Sequence, residues 1–217
     1  MPRRGQGWQQ RERIAQTAAR IMFDQGVRDF QLAKQKAALQ LGIARNSSNM
    51  PRNREIEEAL REYQRLFHAP RQREALVAQR QAALAAMELL ADFQPRLTGP
   101  VLRGSATPHS PVTLLLSADA PEQVAMRLMD TRVNYQESER QLRLEGRAQG
   151  FACYRFDLGE ITVEAIVLGP ESYRQSPPAS PVDGRPAERA GPTQLARLLA
   201  AEAPAEPLPA LGSGPRR

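Results

Sequence analysis

Residues 97–116 read LTGPVLRGSATPHSPVTLLL. Two apolar runs flank a Gly-Ser pair, so GPVLRGS and VTLLLS predict two strands joined by a tight turn at Gly104 and Ser105. The stretch divides the chain. Upstream of Pro95 the apolar residues recur at helical spacing, and downstream they alternate or run together as strands do. A helix begun by Pro121 follows (PEQVAMRLMDT), and then RQLRLEGR, FACYRFDL and EITVEAIVL read as three strands separated by Gly150 and Gly159. The predicted order is strand, strand, helix, strand, strand, strand. On the last strand Thr162, Glu164 and Ile166 share one face, which puts a carboxylate mid-strand.

The first ninety residues predict four helices. Ile14, Ala18 and Met22 form a stripe at spacing four that ends at Gly26. Asp29 is the candidate N-cap of a second helix carrying Phe30, Ala33, Ala37 and Leu41, closed by Gly42. After the aperiodic loop IARNSSNMPRN, a third helix carries Ile56, Leu60, Tyr63 and Phe67. A fourth runs from about Gln72 to Asp92 with Leu76, Leu84, Met87 and Ala91 on one face.

Composition separates the two regions. Residues 1–90 hold 16 Lys/Arg against 9 Asp/Glu, and residues 91–217 hold 14 against 15. All the basic residues except Lys34 and Lys36 are arginine, the side chain suited to bidentate carboxylate or phosphate contacts. A single cysteine, Cys153, can form no internal disulfide and points to a reducing compartment. The basic start MPRRGQGWQQRER is not followed by an apolar segment, and no eighteen apolar residues run together. A cytoplasmic protein with no membrane contact is therefore expected. From Gly169 onward Pro, Ala, Gly and Ser dominate, which predicts a mostly disordered tail, with TQLARLLAAE as one short helix.

The strand, Gly-Ser turn, strand layout resembles the core of the DNA polymerase beta-like nucleotidyltransferase superfamily. In that family an apolar residue precedes Gly-Ser or Gly-Gly. A variable stretch then leads to an acid-x-acid pair opening the next strand, and a third acid lies on a later strand. Gly104 and Ser105 match the first element, Ser110 to Leu114 fall where the acid pair is expected, and Glu164 matches the third acid. The residues predict an α+β fold with a helical N-terminal module over 1–70 and a mostly disordered tail over 170–217 with a short helix near 193–202. The resemblance, which covers roughly residues 72–168, implies a nucleotidyltransferase-like domain with a small mixed sheet over 71–169. It also implies a nucleotide site at Gly104, Ser105, Ser110 and Thr113. Carboxylates two apart project from one strand face and gather a divalent cation there. This sequence has Pro111 and Thr113 instead, one without a ligand atom and one with a neutral hydroxyl. The expectation is a nucleotidyltransferase-like protein without metal-dependent catalysis, binding a nucleotide, an RNA or a protein partner. Magnesium and a nucleoside triphosphate enter only if the site is active. The alternative is an active transferase using Glu164 with Asp157 or Glu160.

Other residues carry less. His109 beside Ser110 has no placed acid, so it is expected as a solvated turn residue. His68, at a helix end, complements the helix dipole, and Cys153 is expected to be a buried thiol. RERIAQTAARIMFDQGVRDFQLAKQKAALQLG is similar to the start of tetracycline-repressor-type DNA-binding domains, which implies a regulator using Arg3, Arg4, Arg11, Arg13 and Arg20. The third helix, NREIEEALREYQRLF, departs from that pattern because its four glutamates repel phosphate. The same opening is similar to a small proteobacterial group labelled UDP-N-acetylmuramate alanine ligase. Such ligases hold ATP on a loop ending in Gly-Lys, and this chain has no Gly-Lys pair.

Overall fold

The computed structural model describes residues 3–44, 48–175 and 177–202, with side chains from residue 7 onward. It is a mixed α/β structure in which four helices precede a five-stranded sheet. Helices α1 (Arg3–Asp24), α2 (Phe30–Gln40) and α3 (Asn53–Phe67) enclose a first core. Ile14, Ala15, Ala18, Ile21 and Met22 of α1 meet Ala33 and Ala37 of α2 and Ile56 of α3 there. The alanines let the α1 and α2 backbones approach closely. The expected cap forms, with Asp29 Oδ1 accepting from the Leu32 N–H at 2.6 Å. At the start of α3, Glu55 Oε2 accepts from the Arg52 N–H at 2.7 Å, a contact not among the sequence expectations.

Helix α4 (Ala69–Leu89) is continued by a 3₁₀ turn at Ala91–Phe93. It covers one face of the sheet. Leu76, Ala83, Ala86, Met87 and Leu90 pack on Leu114, Leu116, Val163, Ala165, Val167, Tyr154 and Phe156. Val124 and Leu128 from α6 (Glu122–Asp130) complete this second core.

The sheet contains β1 (Arg96–Thr98), β2 (Val112–Ser117), β3 (Tyr135–Leu144), β4 (Arg147–Leu158) and β5 (Ile161–Leu168) in the order β1-β2-β5-β4-β3. Only β2 and β5 are parallel; the other three pairings are antiparallel. Four of the five predicted strands exist, VTLLLS as β2 and the last three as β3, β4 and β5, but the boundary between β3 and β4 differs. RQLRLEGR does not run through as a strand, because Glu145 and Gly146, both at positive φ, form a two-residue turn between β3 and β4. Gly150 consequently lies inside β4.

The larger correction concerns the opening stretch. GPVLRGS is not a strand: β1 ends at Thr98, and Pro100–Arg103 form a short helical turn, α5. The cause is Gly99, whose φ of 79° and ψ of −160° belong to a region open essentially to glycine alone. Proline at the next position starts the turn with its φ already set. Gly104, at φ 75°, ends α5, so the Gly-Ser pair is a helix C-cap and not a hairpin turn.

The second correction concerns residues 170–202, expected to be mostly disordered. They pack on the sheet domain, because Tyr173, Ala190 and Leu195 are placed where each is buried. Tyr173 of α7 (Pro170–Arg174) joins the far sheet face, Ala190 bridges Leu97 of β1, and Leu195 of α8 (Pro192–Glu202) enters the core under α4. The short helix expected near 193–202 is α8. The rest of the expected tail, 203–217, lies outside the described residues. Among the described residues no helix is long and apolar enough to cross a membrane.

Candidate functional site

Strand pairing dictates what can meet on the sheet face turned away from α4. Residues directly opposite share a face. Thr98 faces Thr113, Thr113 faces Glu164, and Glu164 faces Arg155, giving one polar row across β1, β2, β5 and β4. The next row on this face is Leu115, Ile166 and Cys153, which is apolar and buried. A polar row thus lies beside a greasy floor.

Glu164 is 5% exposed. Its two carboxylate oxygens accept from Arg28 Nη2 at 2.8 and 2.9 Å, and Arg140 Nη2 lies 3.5 Å from Oε2. Arg28 comes from the α1–α2 loop and Arg140 from β3, so the acid draws together two segments distant in sequence. A second buried carboxylate repeats the arrangement in the opposite sense. Glu57 of α3 accepts from Arg103 Nε of α5 at 2.9 Å and from Ser105 Oγ at 2.8 Å. The helical module therefore gives an arginine to the sheet and receives one from it.

Two cavities meet at these groups. The larger, about 650 Å³, is lined by Thr98, Gly99, Thr113, Leu115 and Ile166, by Arg28, Arg103, Arg140 and Arg143, and by residues 178–181. The smaller, about 160 Å³, shares Arg28, Arg103, Arg140 and Thr113 and adds Glu57, Ser105, Ser110 and Pro111.

The residues expected to form the site are only partly together. Thr113 and Glu164 stand side by side, and Ser105 and Ser110 line the smaller cavity with Pro111. Ser105 Oγ, however, is directed to Glu57, and Ser110 Oγ accepts from the Thr107 N–H at 2.9 Å. Gly104 lines neither cavity; its α-carbon faces Arg80 and Leu76 of α4. The glycine beside Thr113 is Gly99, where an added Cβ would stand 3.8 Å from Thr113 Oγ1. Asp157 lies on the Glu164 face but at the strand end, exposed and accepting from Thr162 Oγ1 at 2.7 Å, while Glu160 sits in the β4–β5 turn.

The remaining candidates fall elsewhere. His68 closes α3 and stacks on Phe23 at 4.4 Å. His109 packs over Gly26. Cys153 is buried, and burial together with the neighbouring Glu164 charge pushes its thiol pKa up. The inner face of α3 is occupied by this domain: Gln64 Nε2 donates to Ala106 O at 2.9 Å, and Glu57 bonds Ser105.

The arrangement does not suit magnesium. Pro111 and Thr113 offer no carboxylate, and both oxygens of Glu164 are engaged by the Arg28 guanidinium. Among the described residues no group of three His, Cys, Asp or Glu could hold a metal ion. Chemically, the cleft offers hydroxyls, an apolar floor and guanidinium groups, which is equipment for binding an anion with an apolar part. In comparisons with protein-family models, curated proteins and solved structures, none matched the chain.

Proposed function

We propose that this is a nucleotidyltransferase-like protein that binds a nucleotide in the cleft beside β1, β2 and β5 and does not carry out metal-dependent transfer. The observation behind it is a cavity of about 650 Å³ lined by Thr98, Thr113, Arg28 and Arg140, with Glu164 behind that lining, paired with Thr113 across the ladder and bonded to Arg28. That volume suits a mononucleotide. Leu115 and Ile166 form a buried apolar floor beneath the cavity, and the arginines supply partners for phosphate.

The resemblance also gains a better starting point. Taken from Gly104 and Ser105, the variable stretch before β2 is short for the family. Taken from Gly99, the glycine that ends β1 and begins a helical turn, it is longer by five residues. Pro100 then stands where the family has serine or glycine. The short helix leading into a strand antiparallel to β1, with the third acid on a parallel neighbour, supports common ancestry with the family.

The charges support the absence of transfer. A metal-dependent centre needs free carboxylate oxygens, and the one carboxylate retained here is saturated by Arg28 and Arg140. The test is incubation with α-labelled nucleoside triphosphates, magnesium and nucleotide, RNA and protein acceptors, alongside equilibrium dialysis of the same nucleotides. Saturable binding without label transfer is expected. Transfer that is abolished in Glu164→Gln would overturn the inactive reading.

A further inference from the structure

If no metal gathers the phosphates, something else must. Resting on the nucleotide reading, we propose that the cleft holds polyphosphate directly on arginine, with the guanidinium groups of Arg28, Arg140 and Arg103 doing the work of the cation, and Glu164 serving to position two of them.

Glu164 is nine-tenths buried and lies behind the cavity lining, held to it through Arg28 and Arg140, which line both cavities. Arg28 spends one nitrogen, Nη2, on both carboxylate oxygens. A guanidinium carries five N–H donors in a planar fork, so most of its donor capacity remains. Arg28 and Arg140 keep 40% and 47% of their side-chain surface exposed, and both line the two cavities. Arg103 is held in the same way from the other side, through Nε on Glu57. Each buried carboxylate thus fixes the direction of a guanidinium whose remaining donors border the cleft. Fixing the fork beforehand lowers the ordering cost that a free arginine bears on binding.

The charge balance agrees. Arg28, Arg103, Arg140 and Arg143 line the larger cavity with one acid, Asp29, whose Oδ1 is engaged by the Leu32 N–H. With Glu57 and Glu164 behind them the local sum remains positive. A triphosphate is the complementary ligand: charge-assisted bonds from several forks to successive phosphates are short and strong, and arginine makes them bidentate.

Magnesium then works against binding. In a metal-dependent site the ion bridges carboxylate and phosphate. Here it would mask phosphate oxygens and bring positive charge toward three guanidinium groups, with no free carboxylate to receive it. Affinity should fall as magnesium rises.

The experiment is isothermal titration of the full chain with ATP, and separately with inorganic tripolyphosphate, each in excess EDTA and in excess magnesium. The same titrations are run on Arg140→Gln and Arg143→Gln, with melting curves to establish that each variant is folded. We expect both probes to bind in EDTA and to compete, to bind several-fold more weakly in magnesium, and to lose several-fold affinity in at least one folded variant. ATP binding that requires magnesium overturns the arginine site and leaves the nucleotide reading standing. ATP binding in EDTA with no tripolyphosphate binding also overturns it, because the phosphates are then not the anchor. Affinity unchanged in every folded variant does the same. No binding of any nucleotide, with or without magnesium, overturns the nucleotide reading itself.

Discussion

Thr113 faces Glu164 across the parallel β2–β5 ladder, and the carboxylate of Glu164 is closed by Arg28 from the helical module, 136 residues earlier in the chain. A single sheet position thus ties the module to the domain and sets the electrostatics of the cleft. Arg28 is 40% exposed at its side chain, so water screens part of the interaction. For Arg28→Met we expect a loss of about 1–2 kcal/mol in urea unfolding, below the value for a fully buried pair, since Arg140 still faces the acid. Unchanged stability would remove the tie between module and sheet.

Gly99 and Gly104 separate the two readings of the opening stretch. Gly99 sits in a glycine-only region, whereas Gly104 is in the left-handed region that other residues enter at lower cost. Gly99→Ala should cost about 1–3 kcal/mol, and Gly104→Ala clearly less, by chemical denaturation. The reverse order would restore Gly104 as the critical glycine.

Segment 170–202 is a structural part of the domain. Leu195 is fully buried under α4, and Glu202 pairs with the buried Arg80. Leu195→Ala should destabilise by about 2–5 kcal/mol. A change within a few tenths would mean that α8 does not dock.

Cys153 should resist alkylation. It is buried and its thiol pKa is raised, chiefly by burial and then by Glu164. Iodoacetamide at mildly alkaline pH should label it only after denaturation. Rapid stoichiometric labelling of the folded chain would contradict the packing of the β4–β5 face.

Tyr154 gives a pH dependence. Its phenol is pushed up to about 12, first by burial and then by Glu137. The unfolded phenol ionises near pH 10, so between about pH 10 and 12 the unfolded chain binds fewer protons than the native one, and stability falls as pH rises. Denaturation midpoints measured across that window should decrease. Constant midpoints would argue against a buried, neutral Tyr154.

Much of the fold was legible because local periodicity specified it. The stripes of α1 to α4 and the alternation in β5 put Ile14, Leu60, Met87 and Glu164 on their proper faces, whereas Phe67 at the end of the α3 stripe is exposed, Ala91 falls beyond α4, and Glu57 and Gln64 are buried on α3 instead. The opening stretch misled because a four-residue helical turn is too short to show a period, and the conformation of Gly99 has no composition signal. The 170–202 segment misled because three well-placed apolar residues count for little in a composition yet suffice to dock it.

The site was legible only where it is carried by strand positions, as at Thr113 and Glu164. Arg28, Arg103 and Arg140 had no distinguishing mark in a chain where nearly every basic residue is arginine. What singles them out is that two buried carboxylates hold them, a long-range fact that no sequence window contains.

Amide chemical-shift mapping of the full chain during titration with ATP in EDTA locates the nucleotide on the molecule. Saturable shifts are expected at Thr98, Gly99, Thr113, Leu115, Ile166 and residues 140–143, which line the cleft. Shifts absent at millimolar ATP, or confined to another cavity of about 970 Å³ between α1 and α3 that is lined by Trp8, Tyr63 and Phe67, would overturn the nucleotide site.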